Sequence, residues 1–328
     1  MVGKRARTSV QSGKPDEFLA DVARAYYEQH LTQEQIAAQF GISRSQVSRY
    51  LAEGLARDIV QIRIALPDAR DRQAETALAT AYPHLKEVMV TRAFNRSPES
   101  LRRAVARASA RLLKRVVGPG MTVCFGAGRT LADTVALLTP DQTTNVTVVQ
   151  AMGNAGHEGL DIDYNAIAHA AAASFGGRAY QINAPAIVGP GSKASELEAS
   201  SAQIQESLRT ARSADLYVLG IGSMSGDMIY VKTGLITAEE LVSLQTAGAV
   251  GDICGNFFDA RGRACPGPFH DRLVGIRLTD LRRAPMVMVC ASGEEKVPAI
   301  AGALAGHLVT ALVIDEHTAR GVLAFAKG

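Results

Sequence analysis

The stretch LTQEQIAAQFGISRSQVSRYLAEGLARDIVQIRIAL, residues 31–66, predicts a helix, a tight turn, a second helix and a short strand. Thr32 with Gln35, and Ser43 with Gln46, have the spacing of capping boxes. In a capping box, a hydroxyl and a side-chain amide bind backbone N–H groups that the first helical turn leaves unpaired. This order of elements is that of a winged helix-turn-helix, so the stretch predicts a DNA-binding unit.

The second predicted helix has an apolar and a polar face, and Gly41 supplies the turn before it. Val47, Tyr50, Leu51 and Leu55 follow the i, i+3, i+4 rhythm of a face packed on the first helix. Arg suits guanine, Gln suits adenine and Ser suits phosphate. The predicted DNA-binding residues are therefore Thr32, Ser43, Arg44, Ser45, Gln46, Ser48 and Arg49. The alternative is a small helical hairpin with a polar surface.

Residues 59–64 alternate apolar and polar side chains, as a half-buried strand does, and are predicted to be the wing. With 328 residues the chain is long enough for two domains. We expect a basic tail over 1–15, the winged helix-turn-helix over 16–67 and a larger domain over 68–328. The tail carries Lys4, Arg5, Arg7 and Lys14, which either touch phosphates or are solvated.

Composition limits the function classes. A net charge of only +3 favours a localised DNA-contact surface over wrapping of nucleic acid. No apolar run approaches the roughly 20 residues that span a bilayer, and the first residues lack the apolar stretch of a signal peptide, so a cytoplasmic protein without a membrane partner is expected. The four cysteines lack CxxC spacing and indicate neither a zinc site nor a disulfide framework; they are expected to be buried small residues.

Beyond Pro67 strands and helices alternate. Residues 68–82 and 98–117 read as helices. Short, continuously apolar strands are predicted at residues 88–90, 121–125, 146–149, 216–219, 286–290 and 312–314. This pattern predicts a largely parallel, Rossmann-like α/β domain. Ligands of such folds bind outside the carboxyl ends of the strands, so the loops there are the candidate binding loops.

The loop after the strand at 121–125 is the first candidate. Gly126 and Gly128 let the backbone approach a ligand, Arg129 and Thr130 add a charge and a hydroxyl, and a helix is expected from about Leu131. A phosphate fits such a loop, although the spacing is neither GxGxxG nor Walker A. A plain strand-to-helix turn is the alternative. The pattern of strand, glycines and hydroxyl returns later in the chain, at Gly222 and Ser223.

Two more segments carry charged candidates. Lys296 is expected near the start of a helix, where it opposes the macrodipole unless an anion binds; the alternative is a solvated lysine paired with a neighbouring glutamate. Asp252, Asn256 and Asp259 lie among glycines and apolar residues, which makes them candidates to accept hydrogen bonds from sugar hydroxyls. For Asp259 a turn-forming role is equally open.

These motifs resemble the SorC family of bacterial sugar-responsive transcriptional regulators over nearly the whole chain. The matching segments are AYYEQHLTQEQIAAQFGISRSQVSRYLAEGLARDIVQIRI, FGAGRT (125–130), NAPAIV (183–188), LGIGS (219–223), GAVGDICGNFFDARG (248–262) and SGEEK (292–296). Asp58 stands where the family usually has a glycine, and Ile314 where it usually has a threonine.

The resemblance implies a fold akin to ribose-5-phosphate isomerase and glucosamine-6-phosphate deaminase. It implies that Gly126, Gly128, Arg129 and Thr130 line a phosphate pocket, that Asp252 and Lys296 contact the effector, and that the protein is a tetramer. Together with Gly222, Ser223 and Asn256, these are the predicted effector-binding residues; neither a cofactor nor a metal is expected.

We therefore expect a homo-oligomeric regulator, a dimer or tetramer, of a carbohydrate-utilisation operon, whose affinity for double-stranded operator DNA is controlled by a sugar, sugar phosphate or polyol. One rival is a sugar-phosphate isomerase or deaminase-like enzyme, with Asp252 and Lys296 in acid/base or Schiff-base roles. A second rival is a DNA-binding architectural protein without an effector.

Overall fold

The computed structural model describes residues 14–61, 69–93, 95–139, 144–155, 164–225 and 228–326. The chain divides into two compact units, residues 1–67 and residues 68–328. Most of the predicted basic tail, and the predicted wing from residue 62 onward, lie outside the described residues.

Over its described residues, 14–61, the first unit contains three helices, α1 (Asp16–Tyr27), α2 (Gln33–Phe40) and α3 (Arg44–Ala56). The ring of Phe18 on α1 packs edge-on against Phe40 and Tyr50, with centroids 5.8 and 5.5 Å away. One apolar cluster joins the three helices, and its largest members are Leu19, Val22, Ile36, Val47, Tyr50 and Leu51. The sequence analysis did not identify α1, whose Leu19, Val22 and Ala23 have helical spacing.

Leu55 does not belong to this core, contrary to the sequence prediction, because 42% of it is exposed. The neighbouring Gly54 takes the buried position instead, and its carbonyl accepts the N–H groups of Ile59 and Val60. Asp58 makes the preceding turn with a φ of +56°. This left-handed conformation favours glycine and is tolerated by aspartate, which explains why the glycine of the family pattern is replaceable here.

The second unit is built on a seven-stranded sheet with the order β1-β10-β9-β5-β2-β3-β4, all of whose pairs are parallel. A three-stranded antiparallel sheet, β6-β7-β8, accompanies it. The strands are β1 (Glu87–Thr91), β2 (Thr122–Phe125), β3 (Thr147–Gln150), β4 (Arg178–Tyr180), β5 (Leu216–Leu219), β6 (Gly222–Ser223), β7 (Ala249–Ile253), β8 (Asn256–Asp259), β9 (Met286–Ala291) and β10 (Ala311–Asp315).

Helices follow most strands of the large sheet. They are α4 (Arg72–Ala81), α5 (Pro98–Val116), α6 (Arg129–Ala136), α7 (Tyr164–Ser174), α8 (Ala194–Ser200), α9 (Ala202–Arg212), α10 (Ile229–Lys232), α11 (Ala238–Thr246), α12 (Pro268–Arg272), α13 (Leu278–Arg283), α14 (Val297–Ala305) and α15 (Glu316–Phe325). The helix expected over 68–82 begins only at Arg72, because Asp71 caps it and residues 69–71 run beside β1.

Most strands of the large sheet are buried on both faces; the edge strand β4, where Arg178 and Tyr180 are exposed, is not. In β9, Val287 and Val289 pack into one apolar cluster, while Met288 and Cys290 pack into another. This alternation is the period of two that a strand imposes on its side chains. The prediction of a largely parallel α/β domain is confirmed. The sequence analysis missed β4, whose three residues are not an apolar run, and it missed the small antiparallel sheet.

Candidate functional site

The first candidate site is the α2–α3 pair. Both predicted capping boxes are present: Thr32 and Ser43 accept the N–H groups of Gln35 and Gln46, and each glutamine side chain accepts the N–H of its capping residue. Gly41 makes the turn with a φ of +62°. These local bonds set where both helices begin, and so which residues α3 presents in its first two turns.

Four of the predicted DNA-contacting side chains, Arg44, Ser45, Ser48 and Arg49, are exposed on α3. Gln46 differs, because its Oε1 accepts the Ser43 N–H at 2.9 Å and the Ser43 hydroxyl at 3.1 Å. Its carbonyl oxygen is therefore engaged in capping and not available to an adenine in this conformation. The sequence assigned Gln46 both roles, and only the capping role is occupied in the structure.

The two arginines of α3 have different surroundings. The Nε of Arg44 lies 3.0 Å from the Glu34 carboxylate, but both side chains are mostly exposed, so this ion pair is weak and easily exchanged for a phosphate. The guanidinium of Arg49 lies 5.3 Å from the ring of Tyr50, the buried neighbour that anchors α3 in the core. Such a contact orients Arg49 without neutralising its charge.

The second candidate site lies at the carboxyl ends of β10, β9, β5 and β2, which are adjacent in the sheet. The loops that leave these strands include most of the predicted effector residues. After β2, the Gly126 N–H donates to the carbonyl of Val218 in β5, which holds the two loops together. The buried Gly126 also has little room for a side chain, because a Cβ there would lie 3.2 Å from both Cys254 Sγ and a methyl group of Leu219.

Helix α6 begins at Arg129, two residues earlier than the sequence predicted. Arg129 and Thr130 are therefore in its first turn, with Arg129 exposed and Thr130 buried. Gly128 precedes the helix with a φ of +143°, and no side chain caps its first N–H groups. An uncapped helix N-terminus next to an exposed arginine is an anion-binding environment.

Asp252 is the most deeply buried acidic candidate, with 4% of it exposed. It lies opposite Gly222 in the β6–β7 pair, and its Oδ1 lies only 2.0 Å from where a Cβ on Gly222 would be, so this carboxylate requires glycine there. Burial raises the pKa of Asp252 to about 6, although the Gly255 N–H and the Tyr230 side chain hydrogen-bond the carboxylate and Lys296 attracts it. The neighbouring Ser223 is partly buried.

Lys296 follows β9 in a short 3-10 turn, Glu294–Lys296, and stands at the N-cap position of α14, with no side-chain cap. Desolvation lowers the pKa of Lys296; the field of Arg129 acts in the same direction, and the carboxylates of Glu295 and Asp252 partly oppose both. The Lys296 ammonium is thus largely desolvated, and it lies near a second cation, Arg129, and at the N-terminus of α14. The structure brings Lys296 within electrostatic range of Arg129 and Asp252, as the parallel-sheet prediction requires.

Asn256 is placed differently from the other candidates, because it is fully buried. Its Nδ2 donates to the carbonyls of Ile253, Cys254 and Ile276 at 3.0, 3.2 and 3.0 Å. These bonds close the turn between β7 and β8, where Cys254 and Gly255 both have positive φ. Asp259 likewise has a turn-forming role, accepting the backbone N–H groups of Arg261 and Arg263 and pairing with the Arg263 guanidinium.

Sequence reasoning missed a carboxylate that supports the Lys296 loop. Asp315, fully buried at the end of β10, accepts the N–H groups of His317 and Thr318 and caps α15. Its Oδ2 also accepts the Gly293 N–H at 3.2 Å, and the Thr318 hydroxyl accepts the same N–H at 3.0 Å. The Asp-x-x-Thr spacing after a buried strand is the capping signal that identifies it.

One surface cavity lies elsewhere. It is lined by residues that precede β5 and β9, among them Arg212, Asp280 and Arg283, and therefore lies at the amino ends of those strands. Arg212 is already paired there with Glu198 at 2.8 Å. We place the candidate site at the carboxyl ends instead, because the uncapped N-termini of α6 and α14 lie there beside Arg129 and the desolvated Lys296.

The four cysteines are free and buried, as the sequence predicted. Among the described residues no helix is long and apolar enough to cross a membrane. Over the same residues no group of three or more His, Cys, Asp or Glu side chains is arranged to hold a metal ion.

Comparison with known proteins adds to this geometry. Residues 68–324 match the family described as "Putative sugar-binding domain", and residues 20–57 match "Sigma-70, region 4". The chain is 29% identical over 305 residues to the deoxyribonucleoside regulator of Bacillus subtilis (strain 168), covering 92% of this chain and 96% of that protein. It is 32% identical over 320 residues to the transcriptional regulator LsrR of Enterobacter sp. (strain 638), covering 95% and 94%.

A solved structure extends the similarity to three dimensions. The full-length sorbitol operon regulator SorC from Klebsiella pneumoniae superposes with a TM-score of 0.70 and 28% sequence identity. The match covers 94% of this chain and 99% of that one, and so includes both units.

Proposed function

This chain belongs to the SorC family of sugar-binding transcriptional regulators, and on that premise we propose that it controls a carbohydrate-utilisation operon by binding operator DNA under the control of a phosphorylated sugar. The observation that carries the effector proposal is the meeting of Arg129 and Lys296 at two helix N-termini without side-chain caps. Relatives named for deoxyribonucleosides and sorbitol support a sugar-derived effector.

The DNA contact is assigned to the exposed side of α3. Arg44, Ser45, Ser48 and Arg49 reach the major groove, and Arg49 is the main base-reading candidate because its charge has no acidic partner among the described contacts. The N-termini of the two helices, capped by Thr32 and Ser43, face phosphates. Gln46 keeps Ser43 in place, so we assign it an indirect role in DNA binding.

The effector contact combines charge and hydrogen bonding. The phosphate binds the N–H groups at Gly128 and in the uncapped first turn of α6 together with Arg129 and Lys296, while Gly126, whose own N–H donates to Val218, keeps the backbone of this loop open to the ligand. Thr130 and Ser223 supply hydroxyl contacts, and Asp252, opposite Gly222, accepts bonds from sugar hydroxyls. Asn256 shapes this pocket by closing the turn beneath Asp252.

Control requires two states. A sugar phosphate shifts DNA affinity only by its different affinity for the two arrangements, and such coupling is typically about 1 to 3 kcal/mol. One recognition helix contacts few base pairs, so we propose a homo-oligomer, a dimer or a tetramer, that presents paired helices to half-sites about one helical turn apart. It acts in the cytoplasm, where its DNA lies, and needs no cofactor.

An enzyme is the second candidate, because a buried Asp252 with a raised pKa and a Lys296 with a lowered pKa also suit acid/base chemistry. Family membership supports a sensor without turnover. Incubation with pentose and hexose phosphates, followed by chromatography, distinguishes the two, and rapid product formation would contradict a regulator-only role.

The central experiment screens sugars, sugar phosphates and polyols by thermal shift, then tests each hit in gel shifts on the DNA upstream of the gene. We expect phosphorylated sugars to raise the melting temperature and to change DNA affinity. The variant Lys296→Met should abolish both effects, whereas Lys114→Met, an exposed lysine on α5, should leave them unchanged. Equal responses of the two variants would contradict the proposed site.

A further inference from the structure

A short segment at the start of the second unit is hydrogen-bonded to the edge of the large sheet. Residues 69–71, which we call the edge segment, run antiparallel to β1 through a bridge between Arg70 and Thr91. The Asp71 N–H donates to Val90 O at 2.8 Å, and the Arg92 N–H donates to Ala69 O at 2.7 Å. Since β1 is the edge strand, the edge segment extends the sheet on that side.

The edge segment is only two strands away from the Lys296 loop. Thr91 of β1 is in register with Asp315 of β10. Asp315 in turn accepts the Gly293 N–H, which begins the turn that carries Lys296. A continuous path of hydrogen bonds and strand pairings therefore joins Lys296 to Arg70.

One ion pair holds the edge segment in place. The guanidinium of Arg70 binds both carboxylate oxygens of Glu75, with Nε–Oε1 and Nη2–Oε2 distances of 2.6 and 2.8 Å. Glu75 Oε1 also accepts the Val90 N–H at 3.0 Å. Only 18% of the Arg70 side chain and 10% of the Glu75 side chain are exposed. Paired, two-point contacts of this kind fix orientation as well as distance, and burial spares them from screening.

A second contact ties the same segment to α15. Asp71 caps α4 by accepting the Ala74 N–H at 3.1 Å, and its other oxygen lies 3.3 Å from Arg92. The Arg92 guanidinium also lies 3.9 Å from Glu316, the first residue of α15 after the Asp315 cap. The edge segment thus has connections to both sides of Asp315, through the strands and through this arginine.

We propose that Arg70 and Glu75 are positioning residues that transmit occupancy of the Lys296 loop to the edge segment, where the chain arrives from the DNA-binding unit. This inference rests on the proposed function, because it takes an anion at Lys296 as the input. A phosphate bound there pulls on the Gly293 N–H and Asp315, and the strand register carries the displacement to Thr91 and the edge segment. Without the Arg70–Glu75 pair, the displacement ends at β1.

The test variant is Arg70→Lys, which keeps the charge but cannot make the two-point contact. Its matched control is Arg72→Lys, because Arg72 is 73% exposed and only 3.8 Å from the same glutamate. Glu75→Gln is the second test variant, should Arg70→Lys fold poorly. All are made in the full chain and compared by hydrogen exchange in sodium phosphate and in sodium chloride of equal ionic strength.

In the native protein and in Arg72→Lys, we expect inorganic phosphate to slow amide exchange in peptides covering 293–297 and also in those covering 69–75 and 88–92. The slowing should be about fivefold or more, the lower limit of typical coupling between sites. In Arg70→Lys the responses at 293–297 and 88–92 should remain, because the strand register still reaches β1, and the response at 69–75 should vanish. A merely structural role would change basal exchange without separating the two responses.

Three results would overturn the inference, and they do not all bear on the proposed function. If phosphate protects 293–297 in the native protein but leaves 69–75 unchanged, or if Arg70→Lys responds like the native protein, transmission through this pair is refuted while the proposed function stands. If phosphate fails to protect 293–297 at all, the anion site itself is refuted and the inference fails with it.

Discussion

Asp252→Asn provides a quantitative test of the buried carboxylate at the centre of the candidate site. Burial raises the pKa of Asp252 from 3.8 to about 6. The folded protein therefore binds the proton more tightly than the unfolded chain does. The contribution of Asp252 to the free energy of unfolding is therefore most favourable below the pKa that this carboxyl has in the unfolded chain. It falls as the pH rises from about 4 to 6 and levels off above that range, because the buried carboxylate is then fully ionised.

The magnitude follows from the pKa difference. One pKa unit corresponds to about 1.4 kcal/mol, so the ionisation penalty is about 2 kcal/mol at pH 5 and about 3 kcal/mol at pH 8. Asparagine carries no charge and pays no such penalty. It also loses part of the hydrogen bonding from Gly255 and Tyr230, but that loss is constant with pH. The free energy of unfolding of the variant, relative to the native protein, should therefore rise by about 1 kcal/mol from pH 5 to pH 8.

Urea unfolding monitored by circular dichroism at fixed protein concentration measures this difference, and the absence of tryptophan makes circular dichroism the practical probe. Glu99→Gln, which removes a carboxylate that is 59% exposed on α5, is the control and should show little pH dependence relative to the native protein. If the free energies of unfolding of Asp252→Asn and the native protein differ by a constant amount over this pH range, the pKa of Asp252 is not raised. That result would also refute the assignment of Asp252 as a desolvated carboxylate that forms hydrogen bonds with the effector.

Three other substitutions test the sites. Arg49→Ala should weaken binding to the operator by roughly 1 to 3 kcal/mol in gel shifts if it contacts a base, whereas Arg24→Ala on α1 should not; an unchanged preference among DNA sequences removes Arg49 from that role. Gly222→Ala should lower the free energy of unfolding measured in urea, because its Cβ would lie 2.0 Å from the Asp252 Oδ1. Gly220→Ala is the control and should be tolerated, because its Cβ would have no neighbour closer than 3.6 Å. Equal effects of the two substitutions would contradict the packing argument. Lys296→Met should raise the melting temperature of the effector-free protein, because a desolvated ammonium with a lowered pKa costs stability at neutral pH, and a lower melting temperature would contradict that reasoning.

The sequence predicted the helix-turn-helix because the interactions that specify it are local. Each capping box joins residues three positions apart, and both were found with the expected partners. The same locality explains the confirmed strands, since an apolar run between glycines identifies a strand buried on both faces. Helix α1 was missed even though its spacing was readable, because only its packing against Phe40 and Tyr50 makes it part of the unit.

Roles that depend on which way a side chain faces were harder to predict. The sequence position of Gln46 suited both helix capping and recognition of adenine. In the folded chain the side-chain oxygen of Gln46 accepts the Ser43 N–H, which is the capping role. Asn256 was predicted to accept a hydrogen bond from a sugar hydroxyl; three carbonyls from two segments occupy its Nδ2, while its buried Oδ1 has no hydrogen-bond partner in the described part of the chain. Leu55 had the right helical phase for the core, but Val60 covers the adjacent Gly54 and leaves Leu55 outside.

The sequence by itself determined where the capped helices begin, which segments are buried strands, and that glycine-rich loops follow them, because short-range hydrogen bonds and the two-residue period of a strand are written in neighbouring residues. Only the tertiary structure decided which charges meet. Arg129, Asp252 and Lys296 are far apart in the chain. Arg129 and Lys296 follow β2 and β9 of the large sheet, Asp252 lies in β7 of the small sheet, and the fold brings the three within electrostatic range. Burial sets the direction of the pKa shifts of Asp252 and Lys296, since desolvation depends on every element packed around a group and not on its neighbours in sequence.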